Sequence, residues 1–141
     1  AYVDDLERDF AAGKRLLRIA APALVGAAEA KLRGQAVDPA VIADVRDRLA
    51  AMPGAEGLDT LVLACTHFPL LADELAAAFG AQVRQVDGAD GIARRIAHLL
   101  EGQSFAAGGA PNRFIVTGPL VGADGLEGAL APRGFGRVET F

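Results

Sequence analysis

The chain has 141 residues, a formal net charge of −4, 52% hydrophobic and 23% charged residues, a balance that suits one globular chain with a buried core and excludes a disordered one. A pI near 5.1 with no basic stripe speaks against a nucleic-acid partner, and sparse aromatics without Trp leave no base-stacking platform. No apolar run approaches the ~18 residues of a membrane span. The single cysteine cannot form an internal disulfide and fits a reducing cytoplasm.

In chain order, residues 2–20 read as a helix, with Leu6, Phe10, Gly13 and Leu17 on one face. Pro22 punctuates it, and a second helix follows from Ala23 to Arg33, ending at Gly34. Asp38 then makes an N-cap with Pro39 at the first helical position, and Val41, Val45, Leu49 and Met52 line one face up to the break at Pro53-Gly54. The apolar run Leu61-Val62-Leu63-Ala64, within Leu58 to Cys65, has the length of a buried parallel strand and is too short for a helix. Pro69 opens a helix with Leu70, Leu71, Leu75 and Phe79 apolar, closed by Gly80. A strand at Gln82 to Val86 ends at Asp87, and a helix from Ala89 to Leu100 turns Ile92, Ile96, Leu99 and Leu100 inward. Residues 102–112 read as a linker, followed by a strand at Phe114 to Val116, a short helix at Asp124 to Leu130 and a last strand near Arg137 to Phe141. The glycines between Gly118 and Gly136 read as turns. Helices alternating with short apolar strands give an α/β fold with a parallel sheet. Three helices precede the first convincing strand, so the sheet looks incomplete at the N-terminus, and the start at Ala1 without an initiator Met points to processing or truncation; no basic n-region and apolar h-region suggest a signal peptide.

The chemistry concentrates at one junction. In open α/β sheets ligands bind at the carboxyl ends of strands, and Cys65 stands at such an end, followed at once by Thr66, His67, Phe68 and the helix opened by Pro69. Free NH groups and the dipole at a helix N-terminus favour a carboxylate and favour a thiolate over a thiol. A lone cysteine is more often a packing residue than a catalyst. Cys-Thr-His in one turn adds a base, a hydroxyl and an imidazole, which raises the functional reading to stand level with that one. Cys65 with His67 and His98 does not make a structural zinc site. Val86-Asp87-Gly88-Ala89-Asp90-Gly91 lacks the GxGxxG pattern of nucleotide binding, so Asp87 reads as a strand-end or N-cap acid. Arg94, Arg95 and His98 read as a solvated helix face.

Asp59-Thr60-Leu61-Val62-Leu63-Ala64-Cys65-Thr66-His67-Phe68-Pro69-Leu70-Leu71 resembles the second catalytic motif of the glutamate racemase family, DTLVLGCTHYPLL. Ala21 to Glu29 resembles the family's CPLFVPLVE segment, Gln82 to Asp87 its VxLVDS strand, Ala1-Tyr2 the tail of a TVxSxAY segment, and Phe114 to Phe141 its C-terminal end. The resemblance implies a parallel-sheet, three-layer domain of the aspartate/glutamate racemase type. Residues 1–92 would form most of the second racemase domain, and residues 93–141 would return to complete the first. It implies racemisation of glutamate without a cofactor, by two cysteines on opposite faces of the α-carbon, with Cys65 the second-domain cysteine. Thr66 would bind substrate, His67 would assist Cys65 and contact substrate, and Glu29 would orient His67. The lysines, Lys14 and Lys31, read as solvated helical positions, in keeping with a mechanism without a pyridoxal Schiff base. The further expectations are a bacterial cytoplasm, a role in peptidoglycan synthesis, and a homodimer of the full-length enzyme.

Ala64 stands where the family has glycine, Gly88 where it has Ser, Ala21 where it has Cys and Gly26 where it has Pro. The first-domain Asp-Ser segment, the Asn-Thr contacts and the first cysteine are not in this sequence, so the chain alone is expected to be inactive. Two rival readings stand beside this one. A racemase or isomerase of the same superfamily would act on aspartate, hydantoins or maleate; aspartate racemases tend to carry an acid after Thr66, where this chain has His67. A non-catalytic relic would act as an interaction module.

Overall fold

The computed structural model describes residues 2–105, 108, 112–119 and 123–141. Parts of the expected linker at 102–112 and of the Ala1-Tyr2 segment lie outside the described residues. The chain opens on helix α1 (Tyr2–Phe10), which is shorter than its spacing suggests. Gly13 takes φ +77°, a left-handed turn that glycine adopts without steric cost, and residues 14–20 are not helical. Burial there changes to period two: Leu17, Ile19 and Ala21 pack on the core while Leu16, Arg18 and Ala20 face out, the pattern of an extended segment. The expected face of Leu6 and Phe10 is therefore uncovered, with Phe10 83% exposed. Arg18 ties this segment back to α1 through Asp4 and Glu7, and Arg48 donates to the Ala20 carbonyl at 2.8 Å.

Helix α2 (Ala23–Leu32) follows Pro22, and Gly34 closes it at φ +74°. Helix α3 (Pro39–Ala50) starts as its cap signal indicates, with Asp38 accepting from the Ala40 NH at 2.9 Å. Strand β1 (Thr60–Val62) leads into a 3-10 turn at Phe68–Leu71 and then helix α4 (Ala72–Phe79), so the helix that Pro69 opens begins tighter than an α-helix. Strand β2 (Arg84–Val86) runs parallel to β1, pairing Thr60 with Arg84, Leu61 with Gln85 and Val62 with Val86. Between β1 and β2, α4 makes the crossover of a βαβ unit.

The core is built from α2 (Leu24, Ala27, Ala28), α3 (Ile42, Val45, Leu49), Leu63 after β1, and Leu71 and Leu75 at the start and middle of the α4 region. The β1 run is not buried on both faces as its composition suggests: Leu61 and Leu63 turn to the core, while Val62 is 73% exposed. Val62 and its register partner Val86 thus form an outward apolar pair. Lys31 of α2 reaches Glu74 of α4 at 2.7 Å, so it is a bridging residue and not a solvated one; Lys14 lies outside any helix.

Helix α5 (Ala89–Leu99) begins where the Asp87 side chain accepts from the Ala89 NH at 2.7 Å. Its apolar stripe does not turn inward. Ile92 is 58% exposed, Ile96 52% and Leu99 58%, because no described element packs over it. Strand β3 (Asn112–Val116), helix α6 (Ala123–Leu130) and strand β4 (Phe135–Thr140) form a second parallel βαβ unit. Phe114 and Phe135 meet edge to face at 5.8 Å between centroids, Arg113 pairs with Glu139 across the strands, and the Val138 NH donates to Glu127 of α6 at 3.1 Å. Gly134 turns at φ +80°, but Gly125 and Gly128 are helical and Gly136 lies in β4, so these three are not the turns they resemble. The parallel-sheet α/β architecture is as the alternation of elements indicates.

Candidate functional site

The chain leaves β1 through Leu63, whose NH continues the ladder to the Val86 carbonyl at 2.8 Å. Ala64 then turns back on Val62, with its NH 3.0 Å from the Val62 carbonyl. Every positive φ among the described residues belongs to a glycine, so the methyl of Ala64 sits without left-handed strain. This sharp exit presents Cys65 at the strand's carboxyl end, half-buried and not disulfide-bonded. The Phe68 NH bonds to the Cys65 carbonyl at 3.1 Å and the Leu70 NH to the His67 carbonyl at 3.1 Å. The 3-10 turn thereby fixes the backbone between the two side chains.

His67 folds back over Cys65, with Nδ1 3.8 Å from Sγ, within reach of a long hydrogen bond to sulfur. The other ring nitrogen, Nε2, lies 3.6 Å from Oε1 of Glu29 on α2. That is an ion-pair distance, longer than a formed hydrogen bond. Thr66 stands exposed between Cys65 and His67. The structure therefore brings Cys65, Thr66, His67 and Glu29 together from two segments, with the imidazole between a thiol and a carboxylate.

Arg33 completes the arrangement and was not singled out from sequence. Its Nη1 lies 3.1 Å from Glu29 Oε2 and 3.3 Å from the Glu29 main-chain carbonyl. The legible signal was the i,i+4 spacing of an acid and an arginine on one helix. Its backbone is packed as well: a Cβ built on Gly125 of α6 would lie 2.1 Å from the Arg33 carbonyl oxygen. Only glycine permits α6 to come that close.

His98 stays apart from the site, 3.6 Å from Glu101 on the same exposed face. No group of three or more metal-ligating side chains is found among the described residues, and no described helix is long and apolar enough to cross a membrane. A groove lined by Leu49, Ala55, Phe79 and Val83 shares no residue with the Cys65 site.

No protein-family model matches the chain. Among curated proteins it is 50% identical over 139 residues to the glutamate racemase of Sphingopyxis alaskensis, covering 99% of this chain and 52% of that protein. It is 36% identical over 140 residues to the glutamate racemase of Vibrio vulnificus, covering 99% and 51% respectively. Among solved structures it superposes, with a TM-score of 0.86 and 32% identity, on Escherichia coli glutamate racemase in complex with L-glutamate and the activator UDP-MurNAc-Ala, covering 100% of this chain and 53% of that one. Over nearly its whole length the chain matches the glutamate racemase family, and it spans about half the length of the curated relatives it matches.

Proposed function

We propose that this chain supplies one of the two acid–base faces of a cofactor-independent glutamate racemase. The observation that carries the reading is the thiol–imidazole–carboxylate line Cys65–His67–Glu29 at the carboxyl end of β1, in a chain homologous to glutamate racemases.

The chemistry balances with two cysteines. A Cys65 thiolate takes the α-proton of glutamate and becomes a thiol, leaving the electron pair on the α-carbon. A second thiol on the opposite face gives its proton to that carbon and becomes the thiolate. The sequence holds one cysteine, so the second comes from the half of the enzyme that this sequence does not contain. His67 supports the Cys65 thiolate and reaches towards substrate, Thr66 offers a hydroxyl and an NH to it, and Glu29 orients the imidazole, as carboxylates do in other acid–base sites. His67, where an aspartate racemase tends to carry an acid, favours glutamate over the aspartate reading.

Residues 1–92 would then be most of the cysteine-bearing second domain, with 93–141 returning to complete the first. That boundary falls within α5 (Ala89–Leu99), whose uncovered stripe of Ile92, Ile96 and Leu99 is an apolar face that needs a partner. The same reading places the enzyme in a bacterial cytoplasm, as a homodimer, supplying D-glutamate for peptidoglycan.

The test is to mix or co-express the chain with the complementary first half of the Sphingopyxis alaskensis enzyme and to follow D-glutamate formation and α-deuterium uptake in D₂O. The expected result is activity with both halves, none with this chain alone, and none with Cys65→Ser. Racemisation by the lone chain, or activity that survives Cys65→Ser, would overturn the two-cysteine assignment. A well-folded mixture that neither racemises nor exchanges would leave the interaction-module reading in its place.

A further inference from the structure

We infer that Arg33 is a positioning residue for this site, holding Glu29 towards His67, and that Gly125 of α6 sets where Arg33 stands. The inference rests on the proposed role of His67 beside Cys65 and extends it by two residues.

Glu29 is half-exposed on α2, and a solvent-facing glutamate has several rotamers within thermal reach. One of its oxygens must point at His67 for the carboxylate to act there. Arg33 Nη1 biases that choice. It lies 3.1 Å from Oε2 and 3.3 Å from the Glu29 main-chain carbonyl, which favours the rotamer that folds one end of the carboxylate back along its own helix. The remaining oxygen, Oε1, is the one that faces His67 Nε2 at 3.6 Å. An i,i+4 pair in which the arginine only neutralised the acid would place no such demand on Oε1.

Arg33 is in turn fixed from outside α2. It is the C-cap residue, and its NH bonds to the carbonyls of Glu29 and Ala30 at 3.1 Å. Gly125 packs on its carbonyl so closely that a methyl there would lie 2.1 Å from the oxygen and 2.9 Å from the carbonyl carbon. Backbone atoms cannot swing aside as a side-chain tip can, so any larger residue at 125 displaces either α6 or the end of α2. The contact joins the second βαβ unit to the first at one turn's distance from Glu29.

The experiment uses the 141-residue chain and reads the rate of Cys65 alkylation by iodoacetamide across pH, a readout that depends on the thiolate and not on racemisation. His67→Ala serves as the reference for the underlying reading, and slows alkylation at neutral pH. Arg33→Ala is expected to move the profile part of the way towards His67→Ala, with a fall of about twofold at neutral pH, the size that an i,i+4 ion pair of ~0.4 kcal/mol carries. Arg33→Lys, which can still donate to Oε2, restores most of the rate, and Gly125→Ala reproduces the Arg33→Ala profile in a chain whose helical circular dichroism is unchanged. If His67→Ala slows the thiol while Arg33→Ala and Arg33→Lys leave the profile unmoved, the inference is wrong and the His67 reading stands. If His67→Ala itself has no effect, the reading beneath it fails first. If Gly125→Ala unfolds the chain, the two Arg33 variants decide the matter.

Discussion

His67 is the residue on which the site turns, because it alone touches both partners: its two nitrogens face Cys65 and Glu29 at 3.8 and 3.6 Å. Ala64, just before them, is the departure from the family motif that matters most, since a glycine there suggests a backbone that a side chain resists. The geometry says otherwise, as Ala64 is exposed and has no left-handed φ. Ala64→Gly is therefore expected to lower stability, by about 0.4–1 kcal/mol through the freer unfolded chain, and to leave Cys65 alkylation unchanged. Urea unfolding of the two chains measures the first and iodoacetamide the second. A gain in stability on Ala64→Gly would show that the methyl is strained after all. Cys65, Thr66 and His67 were legible because they are contiguous, and the strand-then-Pro pattern around them fixes where they sit. Glu29 was reached only through its resemblance to an acidic family position. Arg33 and Gly125 escaped, since a helix-surface ion pair and a helical glycine look the same in sequence whether or not they face a site.

Among the elements, α2 is the one that carries both packing and site. Its inner face delivers Leu24, Ala27 and Ala28 to the core, while Glu29 and the C-cap Arg33 stand together towards His67 and Lys31 turns a different way, towards α4. Lys31 joins α2 to α4 by holding Glu74 at 2.7 Å. Partial burial works to raise the Glu74 carboxyl, but the hydrogen bond from Lys31, a backbone hydrogen bond and the lysine's charge outweigh it and hold the group below its ordinary value. A depressed carboxylate stabilises the fold above its unfolded pKa, and that contribution is lost as pH falls through the folded value. The chain should therefore lose α2–α4 stability below about pH 4, and Glu74→Gln should flatten that part of the curve while costing some stability at neutral pH. Urea midpoints of both chains between pH 3 and 7 check this; parallel curves would remove the bridge from the account. Element types were legible where the period was unambiguous, as in α3 with its Asp38 cap. The stretch 14–20 was not, because Leu6, Phe10, Gly13 and Leu17 keep a helical spacing across a glycine whose left-handed turn ends the helix.

For the molecule as a whole, the open question is what covers the outward apolar surface. Ile92, Ile96 and Leu99 recur at helical spacing, so a buried stripe was a sound reading of α5 taken alone. The stripe is real and no described element covers it, for periodicity tells which face seeks a partner and not where the partner is encoded. The outer pair Val62 and Val86 is uncovered in the same way. A chain spanning about half of its relatives' length should expose surfaces of this kind where the other half would lie, and such surfaces drive association when left bare. The expected behaviour is concentration-dependent self-association of the isolated chain in sedimentation velocity. Ile92→Gln with Leu99→Gln should return it to a monomer with unchanged helical circular dichroism, because neither side chain contributes to the core. The same pair of substitutions should weaken capture of the complementary racemase half by at least about tenfold, some 1.4 kcal/mol, a lower bound set below the ~3 kcal/mol of two fully buried aliphatic side chains because each is already part-covered in the chain alone. If the parent chain is monomeric at every concentration, and the double variant binds the complementary half as well as the parent does, then α5 is not the face on which the two halves meet.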